Sequence, residues 1–449
     1  MISYLSKGLT RILPASSRLA TLVLASVSLS ETAMADNRID ILRPDAPELA
    51  APGPHGVGRF TIELTNPDQY DIVSIAADQT PERYDRGLTV EIFYPSEDHN
   101  APTPMRVFLR DGETEADIIG LSADNVAPDK TDAPYPLVIV SHGYPGNRFL
   151  MSHLAENLAS KGYVVASVDH TDSLYQDQAA FGSTLVNRPL DQMFVLNELE
   201  RLAKEPGTLL EGLVDTSRTG LIGYSMGGYG AIISAGGGVT DVSIGYEWGA
   251  PDGLLGMHKA GSPDHEALLD ARLKAIIAIG PWGRNRDFWD ADVLSGVRVP
   301  ALYVAGSVDD ISEYETGIRK IFEESTGTER HLLTFVSANH NAAAPMPAPA
   351  ESYAISGKLG WAPFEHYADA VWDTVRMNNI MQHFATAFLD LHIKQDAAKA
   401  DYLDLIPNAE DGVYARGDDG TQKPEHTYWA GFPDRSAKGL LFETLKKGD

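Results

Sequence analysis

Hydrophobic residues follow two different patterns along the chain. Residues 58–64 and 88–94 alternate apolar with polar side chains, which is typical of strands with one exposed face. From residue 137 onward short uninterrupted apolar runs take over, and such runs are typical of strands buried on both faces of a parallel sheet. These runs lie at 137–140, 164–168, 220–223, 275–279, 301–305 and 332–336.

Segments with helical spacing of apolar residues separate the buried runs. They lie at 148–160, 189–203 and 367–393, and the second opens with Pro189, which suits the first turn of a helix. Strands that alternate with helices in this order predict an α/β fold, with a mostly parallel, doubly wound sheet and helices on both faces. The two alternating segments before it predict antiparallel strands at the amino-terminal edge of the sheet.

The regular alternation predicts one domain over residues 57–393. An arm at 36–56, rich in proline, alanine and aspartate, precedes it, and an extension at 394–449 follows it. Two long insertions, 236–272 and 341–366, do not fit the alternation. Because long loops above such a sheet usually shape a substrate pocket, we expect both insertions near the functional site.

The first 35 residues have the features of a secretory signal. Lys7, Arg11 and Arg18 give a basic start, residues 19–29 are apolar, and small residues around Ala35 suit a cleavage site. A membrane anchor is the alternative, but the apolar run is shorter than the ~20 residues that a span requires. We therefore expect cleavage near Ala35, a secreted or periplasmic protein, and no integral membrane segment after cleavage.

Composition limits the partners and the chemistry. The 449 residues carry a formal net charge of −27, and removal of the leader takes away three positive charges and one negative charge. Such an acidic chain repels nucleic acids and anionic membranes, so we expect no nucleic acid partner and favour a neutral or cationic substrate. The chain has no cysteine, so it holds neither a disulfide nor a thiolate zinc site.

A possible nucleophile lies in the sequence Gly-Tyr-Ser-Met-Gly centred on Ser225. A strand-like segment, 219–222, precedes it and a helix-like segment, 229–233, follows. This context is typical of a nucleophile elbow, a sharp strand-to-helix turn that exposes the serine hydroxyl. Gly223 and Gly227 are needed in such a turn because a side chain there would collide with its neighbours. The alternative is an ordinary turn serine.

A serine nucleophile needs a histidine base and a carboxylate that orients the histidine. Downstream of Ser225, two late strands run into loops that carry Asp309 and His340, in the order serine, acid, histidine. Asp310 has the same chemistry as Asp309, and we favour Asp309 because of its position after the turn glycine. The sequence therefore predicts a catalytic triad of Ser225, Asp309 and His340, with Asp310 as the alternative acid.

Acyl transfer also needs backbone donors for the oxyanion that forms on the attacked carbonyl. The N–H of Met226, directly after the serine, is one expected donor. The loop 141–146 follows an earlier strand, and in it Gly143 permits a turn that directs the Tyr144 N–H into the site. We interpret His142 in this loop as a bracing residue rather than a second base.

Other side chains near the expected site have two possible roles. Asp169 and His170 end a buried strand, which permits a second catalytic or metal site as well as simple support of a loop or a pocket wall. Trp282 follows another strand and lines either an acyl pocket or the core. We keep His142, His170 and Trp282 as candidate pocket residues and predict no metal ion and no cofactor.

With these residues identified, the chain resembles the alpha/beta-hydrolase superfamily. More narrowly, it resembles the bacterial dienelactone-hydrolase-like proteins related to platelet-activating-factor acetylhydrolase, over about residues 54–393. The elbow also resembles locally those of secreted polyester hydrolases and cutinases. The matching segments are 54–58, 88–95, 141–146, 168–170 and 187–191.

The resemblance implies the alpha/beta-hydrolase fold and a secreted serine carboxylic ester hydrolase with Ser225, Asp309 and His340 as its triad. The expected partner is a small or polymeric ester with a short or modified acyl group. Dienelactone hydrolases proper use a cysteine nucleophile, which this chain lacks. Alternatives are a cutinase-like, polyester-hydrolase or lipase-like activity, acyl transfer, amide hydrolysis or peroxidation, and a hydrolase-fold protein that binds a ligand without turnover.

Overall fold

Two β-sheets and their flanking helices make up the described part of the chain, which in this computed structural model comprises residues 37–75, 82–97, 99–179 and 181–449. The predicted signal and its cleavage site at Ala35 lie outside these residues. The strands are β1 (Asn37–Arg38), β2 (Gly56–Tyr70), β3 (Arg83–Ser96), β4 (Met105–Phe108), β5 (Glu115–Ile119), β6 (Ser122–Asp124), β7 (Tyr135–Ser141), β8 (Val164–Asp169), β9 (Val214–Tyr224), β10 (Leu273–Ile279), β11 (Ala301–Gly306), β12 (Arg330–Phe335) and β13 (Leu440–Leu445). The α-helices are α1 (Ser152–Ser160), α2 (Phe181–Lys204), α3 (Met226–Ser234), α4 (Asp241–Ile244), α5 (Pro263–Leu268), α6 (Ala291–Leu294), α7 (Arg319–Glu324) and α8 (Thr374–His392).

The large sheet has the strand order β13-β12-β11-β10-β9-β7-β8-β3-β2-β6. Neighbouring strands from β12 through β11, β10, β9 and β7 to β8 pair in parallel, whereas β3 pairs antiparallel with both β8 and β2. The predicted doubly wound, mostly parallel sheet with antiparallel strands toward its amino-terminal edge is confirmed. At the opposite edge β13 pairs antiparallel with β12, which the sequence pattern did not predict.

Both faces of the central strands are buried, as their uninterrupted apolar runs require. Along β7, Val138 and Val140 belong to one core cluster and Leu137 and Ile139 to the other, because successive side chains of a strand point to opposite faces. Helices α1 and α8 cover the first cluster, and α2, α3 and α7 cover the second. The sheet is therefore a rigid layer between two apolar cores.

Helix α2 begins at Phe181, eight residues before the predicted start at Pro189, so that prediction was wrong. Proline has no N–H for the carbonyl of Leu185 one turn earlier, which normally disfavours a proline inside a helix. Here the hydroxyl of Tyr229 donates to that carbonyl at 3.2 Å, and His258 Nε2 lies 2.7 Å from the next one, of Val186. Tertiary contacts thus replace the missing hydrogen bond.

The segments outside the regular alternation are folded against the same unit, which spans residues 36–449. The arm at 36–56 supplies β1, which joins β5 and β4 in a second, three-stranded sheet. The insertion at 236–272 contains α4 and α5, and the one at 341–366 contains 3-10 turns at Ala350–Tyr353 and Pro363–His366. The extension at 394–449 supplies β13. In the described residues, no helix combines the length and apolarity that crossing a membrane requires.

Candidate active site

Ser225 occupies the sharp turn between β9 and α3. Its backbone has φ 52 and ψ −110, a conformation that residues with a side chain rarely adopt. The turn is held from both sides, because the Ser225 N–H donates to Ile279 O at 2.8 Å and its carbonyl accepts the N–H of Tyr229 at 2.9 Å. Such locally strained backbone is characteristic of functional sites.

The glycines of the elbow permit this turn. A Cβ atom on Gly223 would lie 2.2 Å from the backbone of Gly227, and one on Gly227 would lie 2.0 Å from the carbonyl oxygen of Ser141. Contacts this short involve backbone on both sides, so neither can be relieved by turning a side chain. The geometry thus supplies the physical reason for glycine at both predicted positions.

Asp309 and His340 meet at the carboxyl ends of β11 and β12. His340 Nδ1 lies 2.7 Å from Asp309 Oδ2. Asp309 Oδ1 accepts the backbone N–H groups of Ile311 at 2.9 Å and Ser312 at 2.8 Å. Burial alone would raise the pKa of the Asp309 carboxyl, but the hydrogen bond to His340, its charge and the two N–H donors lower it. Asp309 is therefore ionised and oriented, whereas the exposed Asp310 makes no hydrogen bond to His340.

Ser225 and His340 line one cavity of ≈ 570 Å³. The His340 ring packs beside the elbow, with its centroid 5.2 Å from that of Tyr224. A Cβ atom on Gly280 would lie 3.1 Å from His340 Cε1, so the glycine lets this backbone approach the ring closely. The other walls come mainly from the insertion at 341–366 and its surroundings. They include Arg110, Tyr144, Asp310, Asn341, Trp361, Phe364 and His366.

The predicted oxyanion loop lies directly against Ser225. A Cβ atom on Gly143 would be 3.3 Å from Ser225 Cβ. The buried guanidinium of Arg188 donates to the carbonyls of His142 and Gly143. Since C=O and N–H point in opposite directions in a trans peptide, the Tyr144 N–H points away from Arg188. Met226 is the first residue of α3, so its N–H has no acceptor within the helix.

His142 braces this loop. Its Nε2 accepts the backbone N–H of His170 at 3.2 Å, and its Nδ1 lies 2.7 Å from Gly143 O. Burial, followed by the nearby positive charge of Arg188, lowers the pKa of His142 well below its usual value. The side chain is therefore neutral and engaged on both sides, and it does not belong to the cavity wall. The bracing interpretation fits this geometry, whereas the pocket role assigned to His142 does not.

His170 is likewise turned into the protein. Its Nε2 lies 2.9 Å from Ser141 Oγ and its Nδ1 3.0 Å from Asp191 Oδ2, while Arg86 pairs with the same carboxylate at 2.9 Å. Burial lowers the pKa of His170 to about 3. This network joins β7, β8 and α2 away from the cavity, so His170 is a structural residue rather than a pocket wall or a metal ligand.

Trp282 also lies outside the cavity wall. Its backbone N–H donates to Ser225 O at 3.4 Å, and its ring packs 5.3 Å from Phe181 and 5.1 Å from Phe288. Tyr246 and Trp248 of the insertion at 236–272 stack with centroids 5.0 Å apart and complete an aromatic cluster, in which Trp248 is 50% exposed. The cluster flanks the elbow, and Phe181 is a member that sequence reasoning missed.

Sequence reasoning also missed the residues that form the far wall of the cavity. Arg110 follows β4 of the small sheet, and Trp361 and His366 lie in or at the end of the insertion at 341–366. The insertion was expected near the site, but its pattern does not indicate which side chains face inward. The sequence pointed to Arg188 only through the segment 187–191, which is one of the segments that resemble the family.

Comparisons with known proteins agree with this architecture. A family model described as PET hydrolase-like matches residues 118–240. Cutinase 2 of Thermobifida cellulosilytica and Cutinase cut1 of Thermobifida fusca are each 25% identical over 222 residues, which is 49% of this chain. The matches span 66% and 54% of the two cutinases, so the chain aligns with only part of either relative.

Among solved structures, a ferulic acid esterase from Streptomyces cinnamoneus superimposes with a TM-score of 0.56 at 20% sequence identity, covering 88% of this chain and 99% of the other. This likeness concerns the fold. Most of the relatives found by sequence are cutinases, in agreement with the local likeness of the elbow, and one is Dipeptidyl aminopeptidase BIII of Pseudoxanthomonas mexicana, 27% identical over 205 residues, or 42% of this chain and 29% of the relative. The narrower resemblance to dienelactone-hydrolase-like proteins stays a prediction. The sheet order, the strained elbow serine and this superposition together show that the chain has the alpha/beta-hydrolase fold.

Proposed function

We propose that the protein is a serine carboxylic ester hydrolase that works through an acyl-serine intermediate. The observation that carries the proposal is the Asp309–His340 pair, with its 2.7 Å contact, on the cavity that Ser225 also lines. Ser225 is the nucleophile, His340 the base and Asp309 the residue that orients the base. The names of the similar proteins, cutinases and a ferulic acid esterase, support ester hydrolysis.

The geometry supports a specific division of labour. Because Asp309 engages Nδ1, Nε2 is the nitrogen of His340 that is left to take the proton of Ser225 Oγ as this oxygen attacks the ester carbonyl. The ionised Asp309 then stabilises the imidazolium. His340 returns the proton to the leaving alcohol, and a water molecule activated by the same nitrogen releases the acid from Ser225.

The oxyanion would be held by the N–H groups of Tyr144 and Met226. The Tyr144 N–H follows the carbonyls of His142 and Gly143, which accept hydrogen bonds from Arg188. The Met226 N–H lies at the start of α3, where the helix dipole also favours negative charge. Donors that are already in place do not have to reorganise during the reaction, which is the main source of their effect. Arg188 acts here as a positioning residue.

Hydrolysis of p-nitrophenyl acetate and butyrate tests the proposal. We expect turnover by the purified protein, a loss of at least about 1000-fold in Ser225→Ala, and one phosphonate added to Ser225 by a fluorophosphonate probe. Activity that survives in Ser225→Ala contradicts the mechanism. Binding of esters without turnover favours the non-catalytic alternative, and product analysis with water as the sole acceptor separates hydrolysis from acyl transfer.

A polymeric ester is the second candidate substrate. The PET hydrolase-like match and the cutinase relatives favour it, and so does the aromatic cluster beside the elbow with its half-exposed Trp248. The test compares two rates, the release of acid from a polyester film and the hydrolysis of p-nitrophenyl butyrate. In Trp248→Ala, the ratio of the first rate to the second should fall. Tyr414→Ala, which removes an exposed aromatic residue of the extension at 394–449, is the control. An unchanged ratio in Trp248→Ala speaks against a polymer that rests on this cluster.

Export belongs to the same proposal. It is supported by the basic start, the apolar run and the small residues that end at Ala35. After expression of the full chain in a bacterial host, the protein recovered from the periplasm or the medium should begin at or near Asp36. Protein that keeps its first 35 residues and stays inside the cell contradicts export.

A further inference from the structure

Among the described residues, one arginine on the wall of the active-site cavity has no counter-ion. Arg110 lines the same space as Ser225 and His340, and within the described residues its guanidinium has neither an ion pair nor a hydrogen bond. Arg106, on β4 of the same small sheet, shows the usual arrangement, since it pairs with Asp117 at 2.6 Å and Glu115 at 3.3 Å. Because half-buried charges are normally paired, Arg110 is exceptional.

The surroundings of Arg110 are aromatic and uncharged. The Arg110 guanidinium carbon lies 5.9 Å from the centre of the Trp361 ring, and the nearby polar groups are the phenols of Tyr144, Tyr175 and Tyr367. His366 bonds Tyr175 at 2.8 Å, and burial lowers its pKa to about 3, so it is neutral. Burial also lowers the pKa of Arg110, since no carboxylate in the described part of the chain compensates for the desolvation of its charge.

The carboxylates on the cavity wall do not form an ion pair with Arg110. Asp369 is engaged by the backbone N–H groups of three residues, at 2.6 Å for Asn339, 2.8 Å for Val371 and 2.7 Å for Trp372. Asp310 and Glu365 are exposed to solvent, and neither comes within ion-pair distance of Arg110. Among the residues that line the cavity with Ser225 and His340, Arg110 thus carries the one positive charge.

We propose that Arg110 binds a carboxylate carried by the substrate, so that the site takes esters with a second, free acid group, such as half-esters of dicarboxylic acids. The inference rests on the proposed ester hydrolysis and names the substrate class. A guanidinium presents paired N–H donors that match a carboxylate, and the aromatic surroundings keep water from weakening the contact.

This substrate class differs from the neutral or cationic one that the acidic composition favours. Net charge acts on the approach of a substrate and is screened by salt within about 8–10 Å. Contacts inside a cavity are screened far less, so Arg110 decides what binds there. Arg110 and Trp361 both lie outside residues 118–240, and the match to the PET hydrolase-like family therefore does not account for this wall.

A pair of esters of equal acyl length tests the proposal. Mono-p-nitrophenyl glutarate carries a carboxylate where p-nitrophenyl valerate has a methyl group. We expect the protein to prefer the glutarate in kcat/KM, and the ratio of glutarate to valerate to fall by about 10- to 100-fold in Arg110→Gln, mainly through KM. Arg110→Lys should restore part of the preference, and Arg106→Gln should leave the ratio as it is in the natural chain.

Each outcome separates the two proposals. If the natural chain shows no preference for the glutarate, or if Arg110→Gln keeps the ratio, the carboxylate assignment is wrong while ester hydrolysis stands. If neither ester is hydrolysed, the proposed function fails. Calorimetric titration of Ser225→Ala and of Ser225→Ala with Arg110→Gln, using monomethyl glutarate and methyl valerate, then still tests the binding site. Equal affinities of both proteins for monomethyl glutarate overturn it.

Discussion

Replacement of Asp309 by asparagine should remove most of the activity, and the reason lies in three hydrogen bonds. Oδ1 accepts the backbone N–H groups of Ile311 and Ser312 at 2.9 and 2.8 Å, and Oδ2 faces His340 Nδ1 at 2.7 Å. In asparagine one of these two oxygens becomes an NH₂ group. The two backbone donors retain the remaining oxygen, so the NH₂ group faces His340.

An NH₂ group that donates to Nδ1 leaves the proton of His340 on Nε2, the nitrogen that has to accept the proton of Ser225. The flipped amide would restore the productive tautomer but would leave two backbone N–H groups without acceptors, at about 1–3 kcal/mol each. The productive form is then disfavoured by about 2–6 kcal/mol, or a factor of about 30 to 20,000. We expect kcat/KM to fall within this range.

The assay is kcat/KM with p-nitrophenyl acetate for Asp309→Asn, with Asp310→Asn as the matched control. Since every backbone N–H stays paired in Asp309→Asn, its thermal midpoint should change little. The reasoning is refuted if Asp309→Asn keeps more than a tenth of the activity, and a selective loss in Asp310→Asn would identify the neighbouring carboxylate as the acid.

Three further predictions follow from other contacts. The planar guanidinium of Arg188 donates to two carbonyls of the loop that carries the Tyr144 N–H, and a lysine cannot donate to both in the same way. Arg188→Lys should therefore lower kcat by about 10- to 100-fold with little change in KM. An unchanged kcat contradicts the positioning role. Gly223→Ala should lower the free energy of unfolding in urea by about 3 kcal/mol or more. The control is Gly256→Ala, where the new Cβ atom would meet no atom within 4 Å and stability should stay nearly unchanged. Equal losses in both variants would show that the elbow can relax. Burial lowers the pKa of His153 and His383 to about 3 and that of His258 to about 4. These histidines stay neutral when folded and take up protons when unfolded, so stability is lost as the pH falls from about 6.5 toward those values, by about 1.4 kcal/mol per pH unit for each histidine. The free energy of unfolding should therefore be at least about 2 kcal/mol lower at about pH 5 than at about pH 7, and equal values would contradict the shifts.

The parts of the fold that the sequence predicts are those set by neighbouring residues. Buried strands appear as apolar runs because both faces are covered, and the elbow is recognisable because Gly223 and Gly227 are required by contacts within one short turn. The order of Asp309 and His340 after Ser225 follows from the order of the parallel strands. In each case the chain next to the residue contains the reason for its position.

The parts that were missed depend on contacts between distant segments. Pro189 suggested a helix start because the partner that replaces its hydrogen bond, Tyr229, lies in another helix. His170 resembled a site residue by its place at a strand end, but its rotation toward Asp191 is decided by α2 and Arg86. Arg110 had no signal at all, because the small sheet that carries it toward the cavity forms only when β1, β4 and β5 meet.

The strand β13 gives the extension at 394–449 a protective role. β12 leads into the loop of His340, and without β13 its outer edge would present a row of free N–H and C=O groups. Exposed edges of this kind invite pairing with other chains and lead to aggregation. Shortening the protein after α8 would therefore yield an aggregation-prone sheet, with the loop of His340 next to its unpaired edge.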